Sequence, residues 1–219
     1  MMTNLTSADG HSFEAWIEPA QGPRKGGVVI VQEIFGVTDQ LKSVARRYAA
    51  LGYEVAIPAL FDRSAPGSVI PFDRPDDGRA LMQKAALDQS MMDIDAARAA
   101  LAAHGGKVGV IGFCWGGGLA FRAAQILDVA CAVSFYGTQL RKYLDRPLKA
   151  PVQGHFGKTD DHTPPDLVAE TQSYLGDLFE LFTYDAGHAF ANDVRPVYVP
   201  DAARLAHERT EAFLAKHLG

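Results

Sequence analysis

The sequence predicts an α/β fold: a mainly parallel central sheet with helices on both faces. Three observations lead there. Segments of strand character alternate with segments of helical periodicity along the whole chain. Several strand segments, Val28–Val31 and Val108–Ile111 among them, are apolar without alternation, as strands covered on both faces must be. Directly after the second of these comes Gly112-Phe113-Cys114-Trp115-Gly116, a tight strand-to-helix turn of the form G-x-C-x-G.

Taken in order, Ser12 to Glu18 alternates Phe13, Ala15 and Ile17 with Glu14 and Glu18, which reads as an edge strand with one wet face. A Pro- and Gly-rich turn, Pro19 to Gly27, leads to the central strand Val28–Val31 and on into Gln32-Glu33-Ile34-Phe35-Gly36. The next helix takes Thr38 as cap, puts Leu41, Val44, Ala45 and Tyr48 on one face, and stops at Gly52. Tyr53 to Ile57 is a strand ended by Pro58. Leu60 to Asp77 holds Pro66, Pro71 and Pro75 without periodicity, a long loop of the kind that tends to be functional. Asp76 and Asp77 open a helical stretch through Ala103, with a break expected at Gln89-Ser90.

After the glycine turn, Leu119, Ala120, Phe121, Ala123 and Ala124 take helical spacing, and Val129 to Tyr136 is the next strand. An irregular region, Gly137 to Ala150, precedes the strand Val152–Phe156, a helix over Leu167–Leu175 and the last strand, Phe179–Tyr184. Pro200 starts a closing helix expected to turn Leu205, Ala206, Phe213, Leu214 and Leu218 inward. With no repeat and no low-complexity block, residues 1–219 read as a single domain.

Composition narrows the function classes. Hydrophobic residues make up 47%, enough for a real core. A net charge of -5, from 21 basic and 26 acidic side chains, argues against a nucleic-acid surface. No stretch reaches membrane-spanning length and no charged leader precedes an apolar segment, so a soluble, cytoplasmic protein is expected. Two cysteines are too few for a disulfide framework or a four-ligand zinc site. Cys131, in Val129-Ala-Cys-Ala-Val133, reads as core.

In open parallel sheets the chemistry lies beyond the carboxyl ends of the strands. Those ends carry Glu33, then Asp62 and Arg63, then Cys114, Tyr136, Lys158-Thr159-Asp160 and Asp185-Ala186-Gly187-His188. Cys114 at the apex of the turn is either a nucleophile or one more small buried hydrophobe. The order nucleophile, acid, histidine, each at a strand end, favours the nucleophile. His155 and His162 with Asp160 and Asp161 raise a metal site, against which stand the strand alternation and the missing ligand spacing. No cofactor and no metal are expected.

Gln32-Glu-Ile-Phe-Gly36, Arg63-Ser-Ala-Pro-Gly67, Gly112-Phe-Cys-Trp-Gly-Gly117, Phe156-Gly-Lys-Thr-Asp160 and Ala186-Gly-His-Ala-Phe190 span nearly the whole chain. In this combination the chain resembles the dienelactone hydrolases (carboxymethylenebutenolidases), the cysteine branch of the α/β-hydrolases. The resemblance implies an α/β-hydrolase fold without a large lid domain, and a triad of Cys114, Asp160 and His188, with Asp161 as the rival acid. It also implies that Glu33 contacts the thiol and controls its ionisation, and that the N–H of Ile34 joins that of Trp115 in an oxyanion hole. Arg63 matches an arginine that holds a substrate carboxylate. The second such arginine has Asn192 in its place, with Arg195 further on. Tyr136 is a candidate pocket wall. The expected activity is cleavage of an activated ester or enol-lactone, small-molecule substrates with or without a carboxylate, by a monomer or small homo-oligomer. The alternative is a thiol redox sensor or holdase built on a Glu33-gated Cys114.

Overall fold

The computed structural model describes residues 1–219. Its strands are β1 (Met2–Thr6), β2 (Ser12–Glu18), β3 (Gly26–Val31), β4 (Tyr53–Pro58), β5 (Val108–Phe113), β6 (Cys131–Phe135), β7 (Val152–Gly157) and β8 (Phe179–Tyr184). The helices are α1 (Asp39–Ala50), α2 (Pro75–Lys84), α3 (Leu87–Ala102), α4 (Trp115–Ile126), α5 (Pro165–Leu175) and α6 (Pro200–Leu218). The eight-stranded sheet has the order β1-β2-β4-β3-β5-β6-β7-β8. The chain divides into two compact units, Met1–Gly109 with Leu218 and Val110–His217 with Gly219. No helix is long and apolar enough to cross a membrane.

In the first unit β3 and β4 pair in parallel, while β1–β2 and β2–β4 are antiparallel. Every residue of β3 is buried, as its unbroken apolar run requires. Thr38 Oγ1 caps α1 by accepting the Leu41 N–H at 3.2 Å, and Leu41, Val44, Ala45 and Tyr48 are buried. Two expectations are corrected here. The edge strand is β1 rather than β2; Met2-Thr-Asn-Leu-Thr6 is polar and largely exposed, and only its pairing with β2 makes it a strand. The break in the long helical stretch falls at Ala85-Ala86, not at Gln89-Ser90. Alanine is the best helix former, so the break is tertiary in origin: α2 buries only Gly78, while α3 buries Ser90, Met91, Asp93, Ile94, Ala97 and Leu101.

In the second unit β6–β7 and β7–β8 are parallel, and β5, β6 and β7 are buried throughout. On α6 the inward stripe is Ala203, Ala206, Thr210, Phe213 and Leu214, at helical spacing. Leu205, expected inward, lies off that stripe and is 37% exposed. Beneath α6 runs a buried polar chain. His155 is fully buried; its Nδ1 meets the Tyr184 hydroxyl at 2.7 Å, and its Nε2 meets Gln153 Oε1 at 3.0 Å and Thr210 Oγ1 at 3.1 Å. The Gln153 amide nitrogen donates to Glu180 and the Thr210 hydroxyl donates to Ala206 O, so both Nε2 partners are acceptors there. His155 is therefore the neutral Nε2–H tautomer, with Nδ1 accepting from Tyr184. Arg209 completes the chain, donating to the Tyr184 hydroxyl at 3.1 Å and lying over the Phe182 ring.

Burial holds the His155 imidazole well below its ordinary value, and the charges of His207 and Arg209 push the same way. The unfolded chain consequently binds a proton at His155 that the folded protein refuses. That stabilisation is whole above the unfolded value near 6.5 and is lost as pH falls below it, by up to about 1.4 kcal/mol per pH unit. Urea-unfolding midpoints taken between about pH 7 and about pH 5 should fall more steeply in the wild type than in His155→Gln. Parallel slopes would remove His155 from the acid response.

Candidate active site

Cys114 stands between β5 and α4 at φ 53° and ψ -116°, a conformation that L-residues avoid. Gly112 permits the bend. A Cβ there would come within 1.9 Å of Gly116 O, so the strand can approach the helix start only without a side chain. The bend is pinned to β6. The Cys114 N–H donates to Phe135 O at 3.0 Å, and Cys114 O accepts from Gly117 and Thr138 at 2.9 and 3.0 Å. Of the four non-glycine residues with positive φ, three lie on the segments that make this site: Cys114, Tyr136 just after β6, and Ala189 just after His188.

Backbone hydrogen bonds stitch the segments after β7 and β8 together. Lys158 N–H donates to Tyr184 O at 2.9 Å and Thr159 N–H to Ala186 O at 3.1 Å. The stitching sets Asp160 against His188. His188 Nδ1 lies 2.8 Å from Asp160 Oδ2, and its Nε2 lies 3.2 Å from Cys114 Sγ. Two further donors hold the carboxylate: the His162 N–H on Oδ1 at 2.8 Å and the Thr163 hydroxyl on Oδ2 at 3.0 Å. Asp161, the rival acid, is exposed. Thr163 did not stand out in the sequence, and His162 did so only in the metal reading, since turn residues beside an acid carry no spacing signal.

Electrostatics follows from these contacts. Burial works to raise the Asp160 carboxyl, but the hydrogen bond and charge of His188, with the donors at His162 and Thr163, hold it below the ordinary carboxylate value. Burial works to lower His188; the bonds to Asp160 and Cys114 and the charges of both outweigh it and push the imidazole up to about 10.

The other expected site residues fall as follows. Tyr136 is 1% exposed, with its ring edge-to-face on His188 at 5.2 Å and on Phe190 at 5.5 Å. Trp115 is the buried first residue of α4, and Cys131 is fully buried on β6. Asn192 is buried in a turn, its N–H on Ala189 O, and Arg195 follows with its N–H on Asn192 O. In the first unit, Glu33 and Ile34 are buried just after β3. Gly78 of α2 packs on the Ile34 carbonyl, where a Cβ would sit 2.1 Å from the oxygen. The Arg63 guanidinium is committed to two aspartates. Its Nε and Nη2 donate to Asp93 at 2.9 and 2.8 Å, and its Nη1 and Nη2 to Asp9 at 2.7 and 3.2 Å. The Asp93 side chain is 1% exposed and also accepts from the Ser7 hydroxyl. His155 serves the buried chain described above rather than a metal.

Two outcomes follow. Arg63→Gln strands a buried Asp93 carboxylate and should lower stability by about 3 kcal/mol, read from urea-unfolding midpoints. In Asp160→Asn the largest influence raising His188 is gone, so the alkaline limb of the pH–rate profile, expected near 10 in the wild type, should move to lower pH. The rate should also drop by roughly 10³–10⁴-fold as the imidazole loses its tautomer. An unmoved limb would show that Asp160 does not set the imidazole.

Comparison with known proteins places the chain in a family. The model of the dienelactone hydrolase family matches residues 13–218. The carboxymethylenebutenolidase of Pseudomonas putida is 36% identical, over 97% of this chain and 94% of that protein. That of Pseudomonas sp. strain P51 is also 36% identical, over 99% and 96%. A crystal structure from Klebsiella pneumoniae subsp. pneumoniae, provisionally named a dienelactone hydrolase, superposes with a TM-score of 0.84 at 29% identity, covering 98% of this chain and 99% of that one. With its mostly parallel eight-stranded sheet and six helices matched along nearly its full length, the chain belongs to the dienelactone hydrolase family and is a hydrolase of the ester- and lactone-cleaving kind.

Proposed function

We propose that the protein cleaves activated esters or enol-lactones by attack of the Cys114 thiolate, through a Cys114–His188–Asp160 triad. The observation that carries this reading is the single imidazole bridging Sγ at 3.2 Å and a buried carboxylate at 2.8 Å. Sγ bonds to the carbonyl carbon while the carbonyl electrons move to oxygen. The Trp115 and Ile34 N–H groups are the proposed donors to that oxyanion. Collapse breaks the C–O bond, and the departing enolate or alkoxide takes its proton from His188. Water, deprotonated by His188, then attacks the thioester, and the thiolate leaves. Asp160 keeps the Nδ1–H tautomer and steadies the cation throughout. Glu33 belongs to the proposal as the carboxylate that disfavours the thiolate until substrate arrives. A thiol sensor requires neither Asp160 nor His188 in these contacts, which favours hydrolysis.

The substrate class follows from leaving-group chemistry and from Arg63. Cysteine suits acyl groups whose own leaving group is good. With Arg63 committed to Asp9 and Asp93, and Asn192 turned into its own loop, the proposed substrate is recognised at its carbonyl rather than through a carboxylate. Tyr136 walls the acyl pocket in this reading.

Purified protein should hydrolyse p-nitrophenyl acetate or a dienelactone, and Cys114→Ala should lose at least about 10³-fold. Unchanged turnover in that variant would remove the thiol from the reaction. A dienelactone carrying a free carboxylate and its methyl ester should show kcat/KM values within about threefold of each other. A preference for the free acid above roughly tenfold would return carboxylate recognition to the site.

A further inference from the structure

Two hydrogen bonds at its two nitrogens fix where the His188 imidazole sits, but they define an axis about which the ring can still rock. Resistance to that rocking has to come from groups packed on the ring itself. Two rings abut it: Tyr136 at 5.2 Å and 67°, and His162 at 4.5 Å and 63°, both edge-to-face. Tyr136 is buried and held by its own backbone, with its N–H on His155 O at 2.7 Å. His162 is exposed, and the His188 side chain retains 16% exposure. The His162 ring is thus the restraint on the side open to solvent.

Its placement there is dictated by the acid. The His162 N–H donates to Asp160 Oδ1, and the Thr163 hydroxyl beside it donates to Asp160 Oδ2. One short turn therefore holds the carboxylate through its backbone and the imidazole through a side chain. We propose that His162 is a positioning residue for the hydrolytic reaction: its ring, packed on His188, fixes the plane of the imidazole so that the Nε2–H bond stays aimed at Sγ while the proton moves. Hydrogen bonds weaken steeply off line, and proton transfer follows that geometry. The role belongs to the ring as a flat packing body and not to its nitrogens. It rests on the triad reading above.

The test compares His162→Ala and His162→Phe with the wild type on an aryl ester. The alanine variant should lose about tenfold in kcat, about 1.4 kcal/mol of barrier, with KM held within about twofold. The phenylalanine variant should recover to within about threefold of the wild type, because it restores the packing without a titratable group. An alanine variant with wild-type kcat overturns the proposal. So does a phenylalanine variant as slow as alanine, since a nitrogen would then be what matters. A second readout needs no turnover: in ¹⁵N-histidine NMR spectra the His188 Nδ1–H resonance should be sharp in the wild type and in His162→Phe, and broadened in His162→Ala. An unbroadened resonance in the alanine variant also overturns the clamp. If the wild type cleaves no ester, the hydrolase reading fails and the NMR lines still decide the fate of His162.

Discussion

The site depends on a strained peptide. Cys114 is held at positive φ, a conformation costing on the order of 1–3 kcal/mol, which persists only because its surroundings over-determine it. The restraint is mutual: β6 takes the Cys114 N–H at Phe135 O, and Thr138, in the segment after β6, donates back to Cys114 O. Relaxing the bend would break both bonds. In exchange the sulfur projects at the head of α4, where helix N–H groups lack carbonyl partners within the helix.

The acid and the base are delivered by a different device. The segments after β7 and β8 share backbone hydrogen bonds, so Asp160 and His188 are held together although they are 28 positions apart. Beneath them, His155, Tyr184, Gln153 and Thr210 form a hydrogen-bonded chain that Glu180, Ala206 and Arg209 complete. Tyr184 joins the two levels. Its hydroxyl caps the buried chain, while its carbonyl accepts from Lys158 and Ala186 at the base of the stitched segments. A fully satisfied polar chain of this kind rigidifies what it supports.

In the proposed reading Arg63 separates family membership from substrate recognition. Its motif matches the family, and its guanidinium nonetheless closes a cluster with Asp9, Asp93 and Ser7. An arginine in a loop presents the same letters whether its fork meets a ligand or a neighbouring aspartate. The proposed trio of Cys114, His188 and Asp160 has to meet fixed hydrogen-bond geometry, whereas the charge that would greet a substrate depends on which carboxylates the fold brings nearby.

The sequence by itself determined the alternation of strands and helices, the buried β3 run, the cap at Thr38, the glycine-framed turn at Cys114 and the chain order of Cys114, Asp160 and His188. These are local or periodic features, set by sterics and by one-dimensional hydrophobic pattern. Tertiary structure alone decided the rest. β1 is a strand only because β2 pairs with it, the break at Ala85-Ala86 answers to what α2 and α3 must bury, and Leu205 misses the inward stripe by the phase of the helix. The same holds for Thr163 and the His162 ring against His188, and for the partners of Arg63. Each depends on contacts between residues far apart or on the direction of a side chain, and neither leaves a trace in composition or spacing.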